Sequence, residues 1–289
     1  MVESIIQKQF RQRVESSFNP KLIKIRKSTP MRFPKAIEDY YVKQLKSMVD
    51  KSYRYFLSGL PDIREIYYKI KGKRPGVIKL DDDSDELNAE LLVLFLMMNN
   101  VYNKNDIDRI TEQAAKSTSV FNRNQIVKII MTKIGISLFL SEDWLSEELS
   151  LWKKQNESLI LNISNKFKSD LSESIYRGIR EWKSFDDIVK DIRVSYKKTQ
   201  RRAELIARDQ IGKLDSQLTM LRQVEAGVKS YVWNTKRDKR VRPDHRSRQG
   251  KVFKWSKPPF DGHPGQPVLC RCWAEPYLGD ILNMPESHI

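Results

Sequence analysis

From Ala36 to Leu60 the apolar positions Ile37, Tyr40, Tyr41, Leu45, Met48, Val49, Tyr53 and Phe56 recur at intervals of three and four. That spacing puts them on one face of a 3.6-residue helix, and Gly59 and Pro61 mark its end. Three more helical patterns are predicted over about 86–99, 105–118 and 124–140. Asn105 caps the second, Gly135 interrupts the third, and Met97, Met98, Met131 and Phe139 read as core. Ser141, followed by Glu142 and Asp143, has the chemistry of an N-cap and an acidic first turn. A seam including Trp152, Ile160, Ile163, Phe167, Leu171 and Ile175 then runs to about Trp182 and needs a partner helix or bundle to cover it. This long helix is the expected protein-contact element. A new helix begins after Ser184, with Asp187 at the capping-box position, and another spans about 199–226.

Beyond Gly227 the period changes. KSYVWNT (229–235) and VFKW (252–255) read as short strands, and Gly and Pro become dense from Gly250 to Pro276. The expected fold class is α+β and mostly α-helical. Long helices fill the N-terminal two-thirds, and a small β-containing unit sits at the C-terminus. Three regions follow: a basic extended arm over 1–35, a helical region over 36–184 and a C-terminal α+β domain over 185–289. The arm contains KLIKIRK and is broken by Pro20, Pro30 and Pro34. A polar hinge, KGKRPG (71–76), precedes the acidic run DDDSDE (81–86). The run lacks the glycine and closing glutamate of a calcium loop, so it reads as an acidic lead into a helix.

Charge sharpens this picture. The 289 residues carry 53 Lys and Arg against 37 Asp and Glu, a net charge of +16 that favours polyanionic partners. The first residues form no secretion signal, and the most apolar stretch, AELLVLFLMM, is about half of a bilayer span. A soluble chain with no membrane partner is expected. The two cysteines are one residue apart, which excludes a disulfide framework and suits a reducing compartment.

Between 236 and 257 the basic residues Lys236, Arg237, Lys239, Arg240, Arg242, Arg246, Arg248, Lys251, Lys254 and Lys257 face only two acids, Asp238 and Asp244. Trp233, Phe253 and Trp255 are interleaved, a composition that can follow a phosphate backbone and stack on bases. The first nine of these cations are the candidate nucleic-acid contacts. With no helix-turn-helix or zinc-finger spacing, the expected contact is with duplex DNA regardless of sequence. The alternative for Trp233 and Trp255 is the core of a small sheet. His245, His263, Cys270 and Cys272 together have the chemistry of a four-ligand zinc site, although Cys-x-Cys is tighter than the usual gap. Against it stands a structural reading, with His245 bonded to the backbone and the cysteines on a final strand. A third reading takes Asp238, Asp244 and His245 as a metal-dependent nuclease site. No phosphate-cradling loop, serine elbow or dinucleotide fingerprint is present, so no catalytic residue and no cofactor other than zinc is assigned.

The order RAELIARDQ (202–210), YVWNTKRDKRVRPDH (231–245), GKVFKW (250–255), PPFDGHPG (258–265) and CRCWAEP (270–276) resembles the phage Mu F-like minor head proteins, also called phage head morphogenesis proteins. Trp233, Thr235, Asp238, Arg240, Pro243, His245, Gly250, Pro258, Pro259, Gly262, Cys270, Arg271 and Cys272 stand at the matching positions. The resemblance implies a non-enzymatic minor capsid protein of a tailed bacteriophage. It implies a place inside the head near the portal protein, reached from the host cytoplasm during assembly. It also implies portal binding and a part in procapsid assembly and in DNA packaging or ejection, with scaffold or major capsid protein as further candidate partners. It carries no settled chemistry for the matching residues.

Overall fold

The computed structural model describes residues 30–72, 80–134 and 140–278. The basic arm before Pro30, residues 73–76 of the hinge, Gly135 and Phe139 lie outside them, and the side chains of the acidic run up to Ser84 are not described. Among the described residues the helices are α1 (Lys35–Ser58), α2 (Leu60–Gly72), α3 (Leu80–Asn99), α4 (Lys104–Ile134), α5 (Leu145–Arg180), α6 (Phe185–Glu225) and the short α7 (Pro243–Ser247). A single 3₁₀ turn, Asn100–Tyr102, joins α3 to α4. The strands are β1 (Ser230–Asn234), β2 (Val252–Lys254) and β3 (Trp273–Tyr277), an antiparallel sheet in the order β2-β1-β3. The class is therefore α+β with long helices first and a small sheet last, as the periodicity predicts. None of the described helices is long and apolar enough to cross a membrane.

The chain forms two compact units. Among the described residues, one contains those within Asp39–Gln113 and Lys153–Ala207; the other contains those within Ala114–Trp152, from Arg208 onward and before Asp39. In the first, Tyr41, Leu45, Val49 and Phe56 of α1 are at most 1% exposed, so the predicted face is the buried one. Gly59 joins α1 to α2, and a Cβ there would meet Leu94 Cδ2 at 2.4 Å; only glycine lets α3 approach this close. Pro61 does not end the helical region. It is the second residue of α2, where its missing N–H costs nothing.

The seam of α5 is consumed internally, because Ile160, Ile163, Phe167, Leu171 and Ile175 are at most 2% exposed. This corrects the expectation that it offers a face to another protein. Met98 is fully buried, whereas Met97 and Met131 are 41% and 54% exposed and are not core.

Two predicted breaks are absent. The helix read as ending near 118 continues through α4, since Asn122 is fully buried and bonded by its side chain to Asp215 and Thr219. The break near 199 is likewise filled. Thr199 bonds back to Ser195 O, and Gln200 Nε2 donates to Lys46 O and Asp50 Oδ1. Polar residues that look like punctuation are here satisfied inside the helix. Ser184 does cap α6: its Oγ accepts from Asp187 N at 3.2 Å. Ser141 does not cap α5, which starts at Leu145; its backbone N–H and hydroxyl bond to Glu225 Oε1 at 2.6 and 3.0 Å instead.

Candidate functional site

The C-terminal lobe is built on β1. Tyr231 and Trp233 of this strand are fully buried, and with Trp255, Cys270, Cys272 and Ala274 they form one apolar cluster. The tryptophans are therefore core rather than stacking platforms for bases. The lobe docks on the end of α6 through Gln223, which donates to Ala274 O at 2.9 Å and accepts from Trp255 Nε1 at 3.3 Å. Gly265 has φ +91, and a Cβ on it would meet Ser216 Cβ at 2.4 Å, so glycine permits the loop to lie against α6.

The segment between β1 and β2 is tied at both ends. Gln249 Oε1 accepts from Thr235 N and Oγ1, and Gly250 N donates to Trp233 O. Pro243 opens α7, whose fixed φ suits the first turn, and this short helix turns His245 inward. His245 is 2% exposed. Its Nδ1 lies 3.4 Å from Cys270 Sγ and 3.4 Å from Cys272 Sγ. Its Nε2 lies 2.8 Å from Asp261 Oδ2. The other carboxylate oxygen of Asp261 accepts from Arg248 Nη1 at 2.6 Å. The Arg248 guanidinium also covers the rings of Trp233 and Phe260, at 4.9 and 5.3 Å from their centroids.

Burial pushes the Asp261 carboxyl up, but hydrogen bonds from Arg248 and His245 together hold it below its ordinary range. The hydrogen bond with the Cys272 thiol draws Cys270 below its ordinary value, against the effect of burial, with a backbone bond from Gly265 and the His245 charge adding to it. The pair thus favours one thiolate. Leu269, just before Cys270, has φ +54, a left-handed conformation costly for a branched side chain. Its N–H is fixed by Asp209 Oδ1 at 2.8 Å, which sets the direction of the following cysteine.

His263 is in the same lobe but does not join this group. Tyr231, whose hydroxyl burial keeps protonated, is 2.8 Å from His263 Nδ1. Burial pushes the His263 pKa down, opposed by a hydrogen bond to the Trp255 backbone. This imidazole is a packed, neutral core residue against Tyr231 and Trp255. Of the four donors read from the sequence, His245, Cys270 and Cys272 converge, with one ligand atom of each within 4.8 Å of the others.

The carboxylates of the nuclease reading do not gather. Asp238 is held by both Nη atoms of Arg271, and this pair keeps its carboxyl below the ordinary range. Asp244 is exposed on α7, and the ring nitrogens of His245 face the sulfurs and Asp261. Asp261 itself is the residue that the sequence reading passed over. Its signal is present: it is the only acid between Asp244 and Glu275, set in the Pro- and Gly-bound turn PPFDGHPG.

Among the predicted nucleic-acid contacts, Lys236, Arg237, Lys239, Arg240, Arg242, Arg246, Lys251 and Lys254 are exposed. Arg248 is 8% exposed and spent on Asp261. Asp238 and Asp261 are thus paired with Arg271 and Arg248, Asp244 stays exposed, and most cations remain at the surface.

The chain is 26% identical over 275 residues to an uncharacterized protein of Haemophilus influenzae; the alignment covers 90% of this chain and 58% of the relative. The chain therefore spans less than two thirds of that relative's length. No solved structure matches. Residues 165–275 match the family described as Phage Mu protein F like protein. That stretch, over which the chain is similar to the family, contains the sheet up to Glu275, the buried triangle of His245, Cys270 and Cys272, and the exposed cations around it.

Proposed function

We propose that the protein is a minor head protein of a tailed bacteriophage. In this reading it works without catalysis inside the head, bound to the portal protein, and its C-terminal lobe contacts duplex DNA during procapsid assembly, packaging or ejection. The family match over 165–275 supports head morphogenesis. The observation that carries the DNA contact is the sorting of charge. Asp238 pairs with Arg271 and Asp261 with Arg248, which leaves eight of the nine assigned cations exposed around a rigid sheet. Such a surface meets phosphates without reading bases.

A protein partner needs a different surface, because the α5 seam is buried. Leu92, Val93, Leu96 and Met97 of α3 are 41–60% exposed and share one side of that helix. This face is the one we assign to the portal contact. Co-expression with the portal protein of the same phage, followed by pull-down, tests the reading. Retention of the portal by the full chain, and its loss in an L92E/L96E variant that still folds, is the expected result. A portal that never copurifies would overturn it.

A further inference from the structure

We propose that the C-terminal lobe binds one divalent ion of the zinc class through His245 Nδ1, Cys270 Sγ and Cys272 Sγ, with a solvent oxygen completing the tetrahedron. Nothing in the proposed head function requires this ion. The inference rests on the geometry of the lobe alone.

The donors fit first. An ion with ordinary zinc bonds to sulfur and imidazole nitrogen places neighbouring S and N ligand atoms about 3.6 Å apart. Each sulfur here is 3.4 Å from Nδ1, and all three atoms lie within 4.8 Å of one another. Two thiols and an imidazole are the borderline-soft set that selects zinc over magnesium or calcium. They come from two separate parts of the chain, α7 and the turn before β3, brought together by the fold.

The surroundings fit as well. A ligating histidine almost always donates its other ring N–H to a carboxylate, a backbone carbonyl or water, and here Asp261 holds that place, 2.8 Å from Nε2. The Arg248 guanidinium fixes the carboxylate in turn. Such a chain of carboxylate, imidazole and ion sets the tautomer that leaves Nδ1 free to ligate. A second sign is the indole N–H of Trp233. This fully buried residue makes no hydrogen bond of ordinary geometry through Nε1 among the described residues, and its ring packs in the same cluster as Cys270 and Cys272. The three ligands are 2–8% exposed, so the ion would act as an internal brace between α7 and β3. Binding displaces thiol protons to solvent and leaves the oxidation state of the sulfurs unchanged.

The test uses the full chain, reduced, stripped with a chelator and titrated with Co²⁺ and then Zn²⁺. We expect about one equivalent of Co²⁺ to produce thiolate-to-cobalt charge-transfer bands and tetrahedral d–d bands, both removed by Zn²⁺. The C270S/C272S variant should lack them. D261N should keep the stoichiometry and lose about 10–100-fold in affinity. H263Q should keep both, since His263 stands outside the group. The proposal is overturned if the wild-type chain gives no charge-transfer band. It is equally overturned if the bands survive in C270S/C272S or depend on His263.

Discussion

Two buried polar assemblies of the same compact unit use their groups in opposite ways. Between α4 and α6, Arg222 is fully buried and each guanidinium nitrogen finds an oxygen: Nε on Glu142, Nη1 on Asn122 and Nη2 on Ser119, at 2.7–2.8 Å. Asn122 passes the network on to Asp215 and Thr219, and Glu225 closes it on Trp144 and Ser141. Donors meet acceptors throughout, so nothing further is required. In the C-terminal lobe, three atoms with lone pairs to share point at one another, and the carboxylate stands behind them rather than among them. The first assembly fixes helices. The second fixes a loop and retains the chemistry to hold an ion. Both are buried and polar, and the distinction lies in whether donors face acceptors or ligands face ligands.

The sharpest way to break the comparison is Arg222→Met. It strands Glu142, Asn122 and Ser119, and removal of one partner of a buried charged network costs about 3–5 kcal/mol. Urea unfolding measures it; a loss under 1 kcal/mol would mean that the helices do not depend on this network. Next comes Asp261→Ala, which leaves Arg248 and His245 without their shared acceptor and should cost about 2–3 kcal/mol. The same urea titration compares the two directly.

The third effect is one of pH. Burial raises the Asp215 carboxyl to about 7, against a hydrogen bond from Asn122 and the Arg222 charge. A raised carboxyl binds its proton more tightly in the folded state. Its contribution is complete below the unfolded value near 3.8 and is lost as pH rises to about 7. Stability of the wild type relative to Asp215→Asn should therefore fall across that window, by at most about 1.4 kcal/mol per pH unit. Chemical unfolding of both proteins at pH 4.5, 6 and 8 measures it, and parallel curves would reject the assignment. The difference between the two isolates Asp215 from His263, whose lowered pKa contributes in the opposite sense, losing stability as pH falls below about 6.5. The smallest effect on stability belongs to the exposed cations. Lys236→Ala, Arg237→Ala, Lys239→Ala and Arg240→Ala should each stay within about 0.5 kcal/mol of the wild type by the same assay.

The helical faces were legible because apolar spacing survives any tertiary context: Tyr41, Leu45 and Phe56 are buried where the period puts them. Helix lengths were less so. Asn122 and the pair Thr199 and Gln200 look like breaks in sequence, and only the partners Asp215, Asp50 and Lys46 explain why the helices run through. Helix α2 is not legible because Pro61 after Gly59 reads as a stop, although a proline at the first turn serves equally as a start. In the lobe, His245, Cys270 and Cys272 were visible from residue type. Separating His263 from them required Tyr231, 32 positions away, and recognising Asp261 required its bond to a histidine 16 positions earlier. Residue type names the candidates; the pairing of partners distant in sequence decides among them.

This lobe pairs Asp238 and Asp261 with arginines and leaves eight of its nine assigned cations exposed, the surface proposed to meet duplex DNA. Filter retention of duplex DNA over a salt series tests it most directly. If roughly six of the exposed cations touch phosphates, log affinity should fall with log salt with a slope of about −5, and alanine at Lys236, Arg237, Lys239 and Arg240 together should make that slope shallower at unchanged stability. Retention that ignores salt, or no retention at low salt by the folded protein, would contradict it.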